Sequence, residues 1–321
     1  MSIKTILMLF CLYSLYCKET KLEGTLLITK KETSGFVGLE LSSPVKITKI
    51  DFSHSSTDPK EYLLGIFQGA NDKTFFDAFP LYMIKEELEP NKLHSIQISC
   101  SKKFKYLRYM GPDEKYSFIS EFEAYGDLQF NEESDEDNYY QPTNLPLLII
   151  NSENSEMPKG RDKITKVKTN NVIVNEGKII IKKTGTIKLR GNSSLNSEKK
   201  PYLINFDEKI TILDMLCNDK KWVLVPNMYD KSLLRNLLGY KMSFIFGLKF
   251  TPSCRFIDLI LNGNYRGNYM ICDKIEVKED RVDITTMDET CVQEPEITGG
   301  YLVQGTGSKQ YGSSDSQQLK V

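Results

Sequence analysis

Residues 251–277 read TPSCRFIDLILNGNYRGNYMICDKIEV, and this stretch decides how the second half of the chain folds. Two apolar runs, 254–261 and 265–271, flank the dipeptide Asn262-Gly263. Asn and Gly both tolerate a positive φ, which the tight two-residue turns of β-hairpins require. The stretch therefore predicts two antiparallel strands joined by a turn at Asn262-Gly263.

A helix is predicted immediately upstream, over residues 228–247. Leu, Ile, Met and Phe recur there at helical spacing. Asp230 suits the N-cap, and Gly247 suits the position just past the C-cap. Arg235 and Asn236 interrupt the apolar stripe, and because polar groups amid leucines need partners, we expect the pair to meet another polar segment.

Strands are predicted before this helix. The continuous apolar run LPLLII at residues 145–150 is typical of a buried strand, and lysine-rich strands follow at 163–168 and 178–188 with their lysines in solvent. The order strand, strand, helix, hairpin predicts an α+β unit over residues 145–321.

The first half of the chain has a different rhythm. Between residues 22 and 127, short apolar stretches alternate with clusters of Gly, Pro, Ser and Asp, which is typical of an all-β sandwich. Residues 128–144 contain the acidic stretch NEESDEDNYYQPTN and have no apolar periodicity. That composition predicts a linker between the two units.

Residues 1–17 read MSIKTILMLFCLYSLYC, with a basic start at Lys4, an apolar run and a charged exit from Lys18. The apolar run is shorter than the roughly 20 residues that a membrane-spanning helix needs. We therefore predict a cleaved signal peptide and a protein that is secreted or held at the cell surface, with no transmembrane segment. A signal anchor or a buried strand is the alternative, since no A-x-A cleavage site is present.

The charge balance argues against two classes of partner. The chain has 42 basic and 43 acidic side chains, a formal net charge of -1, so no basic footprint for nucleic acid or for an anionic membrane is expected.

Zinc is not expected either, because no C-x-x-C spacing occurs and the chain has 2 His. One or two disulfides are expected in a secretory compartment, and the pairing stays open. The candidates are Cys217, Cys254, Cys272 and Cys291.

Six strings resemble, in the same order, the CotH family, the kinase-like proteins named after a spore coat protein. The strings are TIKLRGNSS (186–194), KKPYLINF (199–206), KWVLVPNMYDKSLLRN (221–236), residues 251–277, RVDI (281–284) and TGGYLV (298–303). Each string is weak evidence alone, whereas the ordered set is specific. The resemblance implies a kinase-like N-lobe, ATP with Mg or Mn as cofactors, and Ser/Thr hydroxyls of secreted or surface proteins as acceptors.

The resemblance also implies a set of nucleotide-binding residues. Lys200 begins a strand ahead of the helix, where a kinase lysine reaches phosphates. The loop after residue 189 can approach phosphate closely through Gly191, and its arginine can fork onto oxyanions. The hinge residues would bind adenine through their backbone. The implied cofactor-binding residues are Arg190, Asn192, Ser193, Lys200, Asp273, Lys274 and Ile275. A solvated lysine and a structural turn are the alternatives for Lys200 and its loop.

No catalytic or metal-binding residue is assigned. Phosphotransfer needs one aspartate to orient the acceptor and another to hold metal, and the family places both well beyond the TGGYL string. The chain continues there only as QGTGSKQYGSSDSQQLKV. We expect the C-lobe to be missing and the chain to be inactive by itself.

Residues 22–127 resemble discoidin-like, galactose-binding-like domains, which implies loops that bind sugars or lipid head groups, although no residue is carried over. A spacer or protein-contact sandwich is the alternative for this unit. Three functions remain open: the N-terminal portion of a secreted kinase, a non-catalytic protein that binds carbohydrate or another protein, and a structural surface protein.

Overall fold

The computed structural model describes residues 20–31, 34–112, 118–128, 138–285, 288–294, 297–298 and 300–302. The predicted signal peptide at residues 1–17 and the core of the predicted linker, residues 129–137, lie outside these ranges. The described residues form mostly β-strands, together with one α-helix, α1 (Arg235–Ile245), and short 3₁₀ turns.

Eight antiparallel strands form the first sheet. They are β1 (Thr20–Lys21), β2 (Gly24–Lys31), β3 (Ser34–His54), β4 (Ile66–Ala70), β5 (Phe79–Met83), β6 (His94–Gln97), β7 (Lys103–Met110) and β8 (Ile119–Asp127). The order is β1-β8-β3-β7-β4-β5, and β2 and β6 also pair with β3. The first part of β3 pairs with β2 and β7, and its last part pairs with β6 and β8. The prediction of an all-β first unit is confirmed.

Seven further strands close into a barrel. They are β9 (Leu147–Ser152), β10 (Val167–Asn175), β11 (Lys178–Leu189), β12 (Tyr202–Ile210), β13 (Asp219–Val225), β14 (Cys254–Leu261) and β15 (Asn264–Asp273). The order around the barrel is β10-β11-β12-β13-β15-β14-β9. The second unit therefore differs from the predicted α+β arrangement. Because β9 pairs in parallel with β14 and antiparallel with β10, it closes the ring. Helix α1 packs on the outside of the barrel.

Strand β9 shows why its sequence is apolar at successive positions. Leu148 and Ile150 point into the barrel core, whereas Leu147 and Ile149 pack against the first sheet. Since successive side chains of a strand point to opposite faces, only a strand covered on both sides reads as a continuous apolar run. The prediction of a buried strand at residues 145–150 is confirmed from Leu147 onward, and the strand extends to Ser152.

The barrel packs against the first sheet. Side chains on the outer face of β9, β10 and β14 join the apolar core of that sheet, apart from the core inside the barrel. Two amides cross this contact: Asn151 Nδ2 donates to the Ala78 carbonyl at 2.8 Å, and Asn170 Nδ2 donates to the Phe76 carbonyl at 3.1 Å. The domain boundaries at 22–127 and 145–321 stay a prediction.

Helix α1 begins at Arg235, later than the predicted residue 228. The Asp230 carboxylate accepts hydrogen bonds from the backbone N–H groups of Ser232, at 3.1 Å, and Arg235, at 2.8 Å, so it caps a turn ahead of the helix. Gly247 follows the helix with a φ of 69°, as predicted. Leu237 and Tyr240 pack against the outer face of the barrel. The opposite side of the helix is exposed and apolar, and it includes Leu238, Met242 and Ile245.

The predicted hairpin is present, with β14 and β15 joined by Asn262 at a φ of 49° and Gly263 at a φ of 85°. Glycine is also required by packing. A Cβ at residue 263 would lie 2.3 Å from Gln68 Oε1 in the first sheet.

Candidate functional site

The loop after β11 carries the first group of predicted site residues. Gly191 has a φ of 95°, and a Cβ there would lie 2.3 Å from Ser194 Oγ. This residue turns the chain into a short 3₁₀ helix, Ser193–Asn196. The RGNSS loop, defined as residues 190–194, is thus a tight turn that only glycine at 191 allows.

Lys200 holds this loop in place. Its Nζ donates to the Leu195 carbonyl at 2.7 Å, and its own carbonyl accepts a hydrogen bond from the Tyr269 hydroxyl at 3.0 Å. Lys200 precedes β12, and β13 lies between β12 and helix α1. The ammonium group therefore serves the loop backbone in this structure.

The other two loop residues make contacts of their own. Asn192 Oδ1 accepts a hydrogen bond from Lys163 Nζ at 3.0 Å. The Ser193 carbonyl accepts one from the Tyr229 hydroxyl at 3.1 Å. These two contacts fix the RGNSS loop to residues 163 and 229 on either side.

A cavity of about 320 Å³ lies between the RGNSS loop and the start of α1. It is lined by Arg190, Ser194, Pro201, Val225, Pro226, Asn227, Met228, Tyr229, Asp230, Arg235 and Asn236. The lining thus contains two arginines and one carboxylate. We call this space the Arg190 cavity.

The two arginines of the Arg190 cavity are exposed and weakly neutralised. Among the residues that the structure describes, none hydrogen-bonds or ion-pairs with the Arg190 guanidinium. Arg235 Nε lies 3.6 Å from Asp230 Oδ1, and the Arg235 side chain is 81% exposed. Asp230 is engaged elsewhere: the Arg235 backbone N–H is the main cause of its lowered pKa, and Ser232 adds to it. The cavity therefore presents net positive charge to solvent.

The amides of Asn227 and Asn236 build the wall beside the helix. Asn236 Nδ2 donates to Asn227 Oδ1 at 2.7 Å, and Asn227 Nδ2 donates to the Leu233 carbonyl at 3.2 Å. Sequence reasoning identified the polar pair at 235 and 236 but missed Asn227 and Tyr229. The string VPNMYD, between a strand and a helix, was the signal that could have identified them.

The predicted hinge residues lie at the other end of β13. Asp273 is opposite Trp222, near the start of that strand, whereas the cavity is lined by residues that follow its end. Asp273 accepts hydrogen bonds from Ser253 N at 3.1 Å and Ser253 Oγ at 3.0 Å, while burial raises its pKa. Lys274 pairs with Glu276. Ile275 is exposed. The structure brings Arg190, Asn192, Ser193 and Lys200 together and places Asp273, Lys274 and Ile275 elsewhere.

Beside the hinge residues lies a buried ion-pair network that sequence reasoning missed. Arg281 Nε lies 3.2 Å from Asp219 Oδ2, and Lys278 Nζ lies 2.9 Å from the same oxygen. Burial alone would raise the pKa of Asp219, but hydrogen bonds from Lys278 and the Lys220 N–H, together with the Arg281 charge, lower it to about 2. Arg281 also donates to the carbonyls of Lys221 and Lys274, so it ties the segment after β15 to β13. We call this cluster the Asp219 network.

The described residues contain neither a metal-binding cluster nor a membrane-spanning helix. No group of three His, Cys, Asp or Glu side chains in the described ranges is arranged to hold a metal ion. No helix of this part of the chain is both long and apolar enough to cross a bilayer.

The protein thus contains a closed β-barrel, and the cationic Arg190 cavity lies beside the loops at one end of it. Residues 187–318 match the family model described as CotH kinase protein, which covers the RGNSS loop, α1 and the Asp219 network. The predicted resemblance to the CotH family is therefore confirmed for these residues.

The chain is also similar to a solved structure, CBM62 from Clostridium thermocellum Xyl5A. The identity is 26%, the similarity covers 34% of this chain and 97% of that chain, and the TM-score is 0.32. No curated protein matched the chain.

Proposed function

We propose that this chain binds the phosphates of ATP in the Arg190 cavity, as the nucleotide-binding part of a secreted CotH-type protein kinase. The observation that carries the proposal is Arg190, whose guanidinium has no hydrogen-bond or ion-pair partner among the described residues, beside the exposed Arg235 in a cavity of about 320 Å³. Small-molecule sites begin at about this size, near 300 Å³. The CotH match over residues 187–318 supports the same reading.

The charge pattern favours phosphate over a neutral ligand. A guanidinium presents several N–H donors in a planar fork that matches phosphate oxygens. Arg190 has these donors available, and Asp230, the carboxylate of the cavity, is engaged by the backbone of α1. An anion would therefore gain hydrogen bonds from Arg190 without breaking an ion pair.

Lys200 takes a different role from the one that the resemblance implied. Its hydrogen bond to Leu195 stabilises the short helix that ends the loop. We propose that Lys200 positions Arg190 through this contact and does not itself contact the nucleotide. Asp273, Lys274 and Ile275 are not part of the proposed phosphate site.

The metal partner of ATP, Mg or Mn, stays a proposal drawn from the resemblance. No group of three His, Cys, Asp or Glu side chains among the described residues is arranged to hold it, and no step through a metal is derived. The acceptor is proposed to be a Ser/Thr hydroxyl of a secreted or surface protein.

The test is a titration of the purified full chain with a fluorescent ATP analogue, with and without Mg. Arg190→Ala should weaken binding about tenfold or more, because a hydrogen bond to a charged group contributes roughly 1.5–3 kcal/mol. Arg161→Ala is the matched control. Arg161 donates to Asn196 Oδ1 at 2.6 Å, beyond the RGNSS loop, and to the Asn192 carbonyl at 3.5 Å within it. Because Arg161 does not line the cavity, its removal should change affinity less than about threefold.

Equal losses in the two variants would reduce the effect to general charge and would contradict the proposed site. Binding by adenosine as tight as by ATP would contradict phosphate recognition.

The secretion part is tested by recovering a tagged chain from culture medium and sequencing its N-terminus, which we expect near Lys18.

The alternative function, carbohydrate or protein binding by the first sheet without catalysis, stays a prediction. A glycan array probed with the full chain tests it independently, since the Arg190→Ala variant should bind glycans like the natural chain.

A further inference from the structure

Cys254 on β14 and Cys272 on β15 lie directly opposite each other in the hairpin. Residues directly opposite on antiparallel strands point to the same face of the sheet. Both side chains belong to the apolar cluster on the outer barrel face, beneath Leu237 and Tyr240 of α1. Two thiols therefore share one confined space.

The backbone hydrogen bonds identify the kind of pair. The Asp273 N–H donates to the Ser253 carbonyl at 3.3 Å, so the bond is made by the residues that flank the two cysteines. This pattern marks a non-hydrogen-bonded position, where opposite Cα atoms are about 4.5 Å apart. Disulfides span Cα separations of about 4.4–6.8 Å, so the strand geometry accepts a bond without backbone movement.

The other described cysteines lie apart from this pair. Cys217 belongs to the barrel core, and Cys100 belongs to the core of the first sheet. Cys291 follows the barrel in sequence and lies near Asp288. Among the described residues, the strand register thus pairs only Cys254 with Cys272.

The two thiols differ in access. Burial raises the pKa of Cys272 to about 12 and also raises that of Cys254, so both are protonated in the folded protein. Cys254 lines a cavity of about 160 Å³ between α1 and the start of β14, together with Leu237, Phe244 and Ser253. Cys272 does not line it. In the folded protein, Cys254 is therefore the more accessible of the two thiols.

We propose that Cys254 and Cys272 form a cross-strand disulfide when the protein folds in an oxidising compartment. The oxidant is the disulfide of a small thiol or of an exchange protein. The Cys254 thiolate attacks one of its sulfurs, and a mixed disulfide forms as one reduced thiol leaves. The Cys272 thiolate then displaces the second thiol. The two cysteines lose two electrons, and the donor disulfide takes up those electrons and both protons.

The timing follows from the pKa values. Because the thiolate is the nucleophile, exchange is slow once α1 has covered both groups. The bond therefore forms during folding, after the Asn262-Gly263 turn has brought the strands together. It would fix the start of β14 to the end of β15. This inference rests on the secretion part of the proposed function and does not depend on nucleotide binding.

The experiment uses the full chain secreted from cells, with free thiols blocked by an alkylating reagent under denaturing conditions. Tryptic digestion without reduction should yield residues 250–255 linked to residues 267–274, at a mass lower by two hydrogens than the sum of the peptides. Reduction should release both peptides. The Cys272→Ser variant should leave Cys254 fully alkylated, whereas Cys291→Ser should leave the linked pair intact.

Complete alkylation of Cys254 and Cys272 in the secreted natural chain would overturn the proposal. Linkage of either peptide to Cys217 or Cys291 would overturn it as well. The measurement on the natural chain needs no variant to fold, so an unstable Cys272→Ser protein does not remove the test.

Discussion

Arg281 and Arg190 lie near opposite ends of β13, and their guanidinium groups differ in burial and in partners. Arg281 lies by the start of the strand, has a side chain that is 1% exposed, and pairs with Asp219. Arg190 lies by the end of the strand, is exposed, and its guanidinium forms no hydrogen bond or ion pair with a described residue. A paired, buried arginine supports the fold, whereas an unpaired arginine at a cavity is available for a ligand.

Among the variants considered, Asp219→Ala should lower the free energy of unfolding most. The change leaves Arg281 buried without its counter-charge, and removing one partner of a buried pair costs about 3–5 kcal/mol. Urea denaturation measures the free energy of unfolding. Lys278→Ala is the control in the same network, and since its side chain is 43% exposed, it should cost less than about 1 kcal/mol. Similar losses for the two variants would show that the Asp219 network is solvated.

The Asp219 network should also make the stability of the protein depend on pH in the acid range. Burial opposes ionisation of Asp219 and Glu276, but hydrogen bonds from neighbouring lysines lower both pKa values to about 2, from 3.8 and 4.5. Because the folded-state pKa values are depressed, the network stabilises the protein above the unfolded pKa values and loses this contribution as the pH falls towards 2. Urea midpoints should therefore decline between pH 4.5 and 2. The decline should be shallower in Asp219→Asn, and an equal slope in that variant would contradict the assignment.

Arg190→Ala should have the smallest effect on stability. The side chain is exposed and forms no hydrogen bond or ion pair with a described residue, so the free energy of unfolding should change by less than about 0.5 kcal/mol. Thermal unfolding beside the Arg281→Ala variant measures the difference between the two ends of β13. A loss of similar size in both variants would mean that the Arg190 cavity is part of the folded core and would argue against a ligand site.

The RGNSS loop shows how far local reasoning reaches at the candidate site. The sequence predicted that Gly191 lets the loop approach phosphate, with a structural turn as the alternative, and the φ of 95° at Gly191 fits a tight turn. The direction of the Lys200 ammonium group could not be predicted, because it depends on where the Leu195 carbonyl lies after the loop has folded back. The separation of Asp273 from Lys200 could not be predicted either, because it follows from the register of β12, β13 and β15.

Backbone preferences that act over a few residues were readable from the sequence by itself. Asn262-Gly263 determined the hairpin, Gly247 determined the end of the helix, and residues 145–150 determined a buried strand, because each depends on local φ values or on side-chain alternation.

Only the tertiary structure decided which distant residues meet. Ring closure by β9, the contact between Asp219 and Arg281, and the pairing of Cys254 with Cys272 all depend on strand register. A shift of one residue in register moves every side chain of a strand to the opposite face, and register is set by the packing of the whole barrel. Local pattern therefore predicted the elements, and long-range packing determined the cavity, the ion pairs and the facing thiols.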